Sequence, residues 1–176
     1  MMLAGIRTAM PVRVMAVTNT GGVSPVGRVD IQPLVGQLDG RGKHVEHGTI
    51  YGVPYMRIQG GGSAIILDPA VGDIGIAVFC DRDISAVKSG KKASPPGSTR
   101  KHDMSDAVYL HTILSAAPSQ YIRFHAGGIE INAPSVTING ATAINGGSLT
   151  HNGSNVGSSH VHGGVASGGA TTAGPQ

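Results

Sequence analysis

The apolar positions of this chain fall into two patterns. Between residues 11 and 81 they come in short runs separated by turn residues. Pro11 to Val17 alternates apolar and other side chains, and Val26 to Ile31 sets Val29 and Ile31 on one face. Asn19 to Gly22 and Asp39 to Lys43 are turn material. Val53 to Ile58 reads as a third strand, with Pro54 suiting an edge or a strand start. Gly60-Gly61-Gly62 turns the chain into Ala64 to Leu67, and Asp68-Pro69 with Val71 to Asp73 turns it into Ile74 to Asp81. About five short strands in this length predict a small all-β barrel of the OB type.

The second pattern begins at Tyr121. Ile129-Glu130-Ile131-Asn132-Ala133, Val136-Thr137-Ile138-Asn139-Gly140, Thr142-Ala143-Ile144-Asn145-Gly146 and Leu149-Thr150-His151-Asn152-Gly153 form an internal repeat. Each unit suits a strand of a few residues and a corner, where Asn and Gly accept left-handed backbone. One face of each unit carries one or two apolar side chains. Ordering a residue costs about 1–2 kcal/mol. Burying an Ile or Val returns roughly 1.5–3 kcal/mol. With about one apolar residue in three, a lone chain does not break even. Three chains wound about one axis would turn each inward position into a layer of three and pair every strand edge.

Between these parts, residues 84–120 read as a linker with short helical turns at Ile84 to Lys88 and near Asp103. The expected organisation is therefore an N-terminal arm (1–10), a barrel (11–83), the linker (84–120), a triple-stranded shaft (121–155) and a tip (156–176).

Composition sharpens this picture. The chain has 176 residues, 28 of them glycine, no Trp and only 13% charged residues, which suits narrow, regular β-structure better than disorder. Basic residues crowd Arg82, Lys88, Lys91, Lys92, Arg100 and Lys101. No aromatics are interleaved to stack on bases, so a solvated loop is the plainer reading. A nucleic-acid-binding OB protein with a flexible Gly-rich tail is the alternative. Cys80, the one cysteine, closes an apolar run and reads as a small buried hydrophobe. Met1 to Val17 lacks the apolar core of a secretory leader. The longest apolar stretch, Ala64 to Cys80, is broken by Asp68, Pro69 and Asp73, so no spanning helix is expected. His102, Asp103 and Asp106 can be drawn as a catalytic cluster, but capping and turn bonds account for such residues equally well. G-x-S-x-G, H-E-x-x-H and P-loop patterns are missing.

The remaining chemistry lies near the end. In extended backbone His160 and His162 point to one side. One chain offers two imidazoles, a poor metal site. Three chains offer six, a complete octahedral shell suiting divalent iron, nickel or similar ions, whereas structural zinc prefers four ligands. His151 takes the position that Ile131, Ile138 and Ile144 hold in earlier repeats. It is a candidate for a ring of three on the axis, with a rim histidine as the plainer alternative.

The ending His160-Val161-His162-Gly163-Gly164-Val165, then Gly168-Gly169, Thr171-Thr172 and Gly174-Pro175, resembles the tip of the central baseplate spike of contractile-tailed phages, the baseplate assembly protein V and membrane-puncturing spike family. Leu149 to Gly153, Val156 to Ser158, Val71 to Gly75, Asp81 to Ser85 and Arg100 to Ala107 are also similar to that family. The resemblance implies an OB-fold base, an intertwined trimeric β-helix and a conical tip with one iron ion per trimer, held by His160 and His162 of each chain. Further ions in the shaft are in keeping with the family. It also implies a homotrimer in the virion, docked to tail tube or baseplate hub proteins and driven into the host outer membrane. No catalytic activity, small-molecule substrate or nucleic-acid partner is expected.

Overall fold

The computed structural model describes residues 6–19, 21–146, 148–161, 164 and 168. The chain divides into two compact units, residues 1–117 and 118–176.

The first unit is built on five strands: β1 (Ala9–Val17), β2 (Arg28–Pro33), β5 (Ile50–Pro54), β8 (Ile74–Phe79) and β9 (Ala107–Thr112). They form one antiparallel sheet in the order β5-β2-β1-β8-β9. Two small hairpins interrupt the series, β3 (Gln37–Leu38) with β4 (His44–Val45), and β6 (Ile58–Gly60) with β7 (Ser63–Ile65). The sheet curls until its outer strands meet. Tyr55 bridges Tyr109 in parallel, and the Met56 N–H donates to the Tyr109 carbonyl at 2.9 Å.

Alternation fills the inside of the curl. Val12 and Val14, Val29 and Ile31, Val53, Ala77 and Phe79, and Ala107 and Tyr109 make a single core with Tyr55. Gly75 is required at its centre: a Cβ there would lie 2.3 Å from the His111 carbonyl and 2.4 Å from the Tyr109 hydroxyl. Among the described residues the hydroxyl of Tyr109 has no hydrogen-bond partner, and burial pushes its pKa up to about 12.

The strands read from sequence appear with shifted limits. The third begins at Ile50 rather than Val53, because Gly52 (φ 64°) carries a bulge opposite Asp30 and donates its N–H to that carboxylate at 2.8 Å. Pro54 does lie on an outer strand of the sheet. Residues 84–120 contain the expected short helix, α1 (Ser85–Gly90), and a 3-10 turn at Met104–Asp106. They also contain β9, which the sequence reading placed in the linker. It belongs to the sheet because Ala107 and Tyr109 complete the core.

The second unit holds two hairpins. β10 (Tyr121–His125) pairs with β11 (Gly128–Asn132), and β12 (Thr150–His151) with β13 (Ser154–Asn155). Asn152 (φ 49°) and Gly153 (φ 80°) make the tight turn of the second, the Asn-Gly pair favoured where both central residues need positive φ. No described residue from 118 onward is buried.

Candidate functional site

The two faces of the β10–β11 hairpin have opposite chemistry. Ile122 faces Ile131 and Phe124 faces Ile129 across the ladder, all on one side. The other side carries Tyr121, Arg123 and Glu130, where the Tyr121 hydroxyl donates to Glu130 at 2.8 Å and Arg123 pairs with the same carboxylate. The four apolar side chains are exposed, Phe124 by 75%. Val136, Ile138, Ile144 and Leu149 further along are exposed too. The apolar residues of the repeat thus form an uncovered series, and the hairpin adds Ile122 and Phe124, which the repeat did not contain.

The sequence-predicted tip residues fall as follows. His160 sits at the end of a chain of local bonds. The Gly157 N–H donates to Asn155 Oδ1 at 2.9 Å, the Asn155 amide donates to Ser159 Oγ at 2.9 Å, and the His160 N–H donates to the Gly157 carbonyl at 3.1 Å. The ring follows its backbone, with Nδ1 2.8 Å from that same carbonyl. A carbonyl only accepts, so Nδ1 is the protonated nitrogen, and any ligation by His160 falls to Nε2. Asn155, unremarked in the sequence, sets this turn. His162 lies outside the described residues. His151 stands opposite Ser154 and is exposed. Among the described residues, no cluster of three or more His, Cys, Asp or Glu forms within one chain. The donor set fits a metal in kind, with the His160 imidazole held by a backbone partner, but a complete shell needs more than one chain.

The cluster near Asp103 is engaged in ion pairs and capping bonds. Asp106 is fully buried and takes both forks of Arg100, at 2.7 and 2.9 Å, together with the Ile84 N–H at 3.0 Å. Arg100 also meets Asp83 at 2.9 Å. Hydrogen bonds from Arg100 hold the Asp106 carboxyl below its usual range. Those from the Ser85 hydroxyl and N–H, aided by Ser98 and the Arg100 charge, bring Asp83 down to about 2. Asp103 caps the 3-10 turn through the Ser105 N–H at 2.9 Å. His102 neighbours this cluster with left-handed backbone (φ 48°). These contacts clasp the two ends of the segment between β8 and β9.

A second clasp fixes the loop after β1. Arg57 forks Asp68 at 2.7 and 2.8 Å and donates to the Ser24 carbonyl at 2.6 Å. Burial alone would raise the Asp68 pKa, but hydrogen bonds from Arg57 and Tyr55 outweigh it and hold it low. Nothing local in the sequence marks either clasp.

Residues 19–112, from the loop after β1 to the last residue of β9, match the model of the phage protein Gp138 N-terminal domain. The chain belongs to this family. The matched span is more than half of the 176 residues, and its end coincides with the strand that completes the sheet. Membership makes the chain a phage protein and supports a baseplate-related structural role, without singling out the spike family that the C-terminal sequence resembles. No curated protein matches the chain.

Proposed function

We propose that this chain is the central spike of a contractile phage tail baseplate, a homotrimer that pierces the host outer membrane during injection. The observation that carries this reading is the second unit, which displays Ile122, Phe124, Ile129, Ile131, Val136, Ile138, Ile144 and Leu149 and buries none of them within one chain. Such a segment gains too little from its own contacts to offset the entropy of ordering it. Association of copies supplies the missing core. Three copies also bring six imidazoles from His160 and His162 to one point, where a metal ion, most simply iron, supplies the cohesion that small side chains cannot.

The first unit suits a base. Its strand order β5-β2-β1-β8-β9, with the parallel bridge between β5 and β9, is in keeping with an OB barrel, whose outer surface would dock to tube or hub proteins. The work of such a device is mechanical: a dry axial core gives stiffness, and a metal-locked apex concentrates force.

Light scattering on the full chain without an affinity tag tests the assembly, and a trimer is expected. A monomer would reject the spike and favour a nucleic-acid-binding barrel with a loose tail. Metal analysis should find one ion per trimer, lost in the double variant His160→Ala, His162→Ala while the trimer persists. Full metal occupancy in that variant would reject the tip assignment.

A further inference from the structure

The charge of the chain is concentrated in one place. Residues 84–102 contain Lys88, Lys91, Lys92, Arg100 and Lys101, five cations, and no carboxylate. The whole chain has 13 Lys and Arg against 10 Asp and Glu. Outside this segment the balance is therefore 8 against 10, slightly acidic. The segment alone makes the protein basic.

The structure shows how this charge is displayed. Arg100 is spent internally on Asp83 and Asp106, which clasp the two ends of the segment to the barrel. The four remaining cations are all lysines, and none is paired with a carboxylate among the described residues. Lys91, Lys92 and Lys101 are exposed, and Lys88 lies half-buried with its ammonium donating to the Ser105 carbonyl at 3.4 Å. Val87, next to Lys88 on α1, is 46% exposed.

The residue types choose among polyanions. Protein interfaces favour arginine and are depleted of lysine. Single-stranded nucleic acid calls for aromatic or arginine planes to stack on, and residues 84–102 have no Phe, Tyr or Trp, and their one arginine is paired. An anionic lipid surface needs no fixed pairing geometry. It attracts compact ammonium charges through its averaged potential, and an exposed apolar residue beside Lys88 can enter the headgroup layer. We propose that the clasped segment 84–102 is a peripheral docking surface for anionic phospholipid, with Lys88, Lys91, Lys92 and Lys101 as its contacts. This surface depends on the placement of charge and on neither the trimer nor the metal.

The test is co-sedimentation of the full chain with phosphatidylcholine vesicles, with and without phosphatidylglycerol. Attraction of about five-fold per lysine predicts partition several hundred-fold stronger onto the anionic vesicles at low salt. The preference should disappear in half-molar salt and in the variant Lys88→Gln, Lys91→Gln, Lys92→Gln, Lys101→Gln. Equal binding to both vesicle types, or undiminished binding by the variant, would overturn the proposal. So would displacement from the vesicles by duplex DNA or oligoglutamate at equal charge, which would reassign the surface to that class of partner. Circular dichroism of the variant confirms its fold, and light scattering on the same samples reports the trimer separately.

Discussion

Replacing Gly75 with alanine tests the packing of the barrel at its tightest point. Gly75 lies on β8 between β1 and β9, aligned with Val12 on one side and Thr112 on the other. A methyl group there would approach the His111 carbonyl to 2.3 Å and the Tyr109 ring to 2.5 Å. Ordinary carbon contacts lie near 3.5–4.0 Å, so more than an ångström of movement is needed. The carbonyl is fixed in the β9 ladder, and Tyr109 is 1% exposed, so neither can swing away. Overpacking of a filled core costs about 1–3 kcal/mol, and backbone against backbone belongs at the upper end, about 3 kcal/mol. For a unit of this size that corresponds to a Tm lower by roughly 10–15 °C. Gly62→Ala is the control, since a Cβ there meets nothing within 4 Å and its effect should stay within about 0.5 kcal/mol. Thermal unfolding of the full chain followed by far-ultraviolet circular dichroism reads both variants. A Gly75→Ala barrel melting within two or three degrees of the parent would refute the packing argument.

Two further predictions concern charge and assembly. Asp83 is lowered from 3.8 to about 2, and Asp106 is lowered as well. A depressed carboxylate stabilises the fold above its unfolded pKa and loses that contribution as pH falls through its folded one. The barrel should therefore lose stability between about pH 4 and pH 2, and Arg100→Gln should move its acid unfolding midpoint upward; an unchanged midpoint in a dichroism titration would contradict the clasp. Phe124→Ser changes an exposed side chain and should leave the melting of the barrel unaltered while weakening the proposed trimer in sedimentation velocity; a trimer of parental stability would mean that this face is not its interface.

The sequence revealed those parts of the fold in which local pattern and final environment agree. Val29 and Ile31 alternate with polar neighbours and do point into the core, and Asp39 to Lys43 turns as its residues suggest. The strand β9 was hidden because Val108 and Leu110 are apolar as well as Ala107 and Tyr109, which erases the period of two. Its polar approach, Arg100 to Asp106, resembles a solvated loop until Asp106 is seen buried beneath Arg100. Pairing of Arg57 with Asp68 spans eleven residues of hairpin and turn, a separation that no periodicity encodes. At the tip, the spacing of His160 and His162 suggested a ligand pair, whereas the turn that orients His160 is set by side-chain bonds of Asn155 to Gly157 and Ser159, which no spacing or repeat marks.

The uncovered second unit has a consequence for how the protein comes into being. The barrel has its own core and can fold as its chain leaves the ribosome, in a step independent of how many chains are present. A segment with no interior cannot follow by the same route. On the proposed assembly its folding is a meeting of chains, third order overall or second order if a dimer forms first, and it slows steeply as the protein is diluted. Refolding from denaturant should then be biphasic, with a concentration-independent phase for the barrel and a concentration-dependent one for the remainder. On the proposed assembly, chains made at a low level would accumulate as finished barrels with unassembled second units.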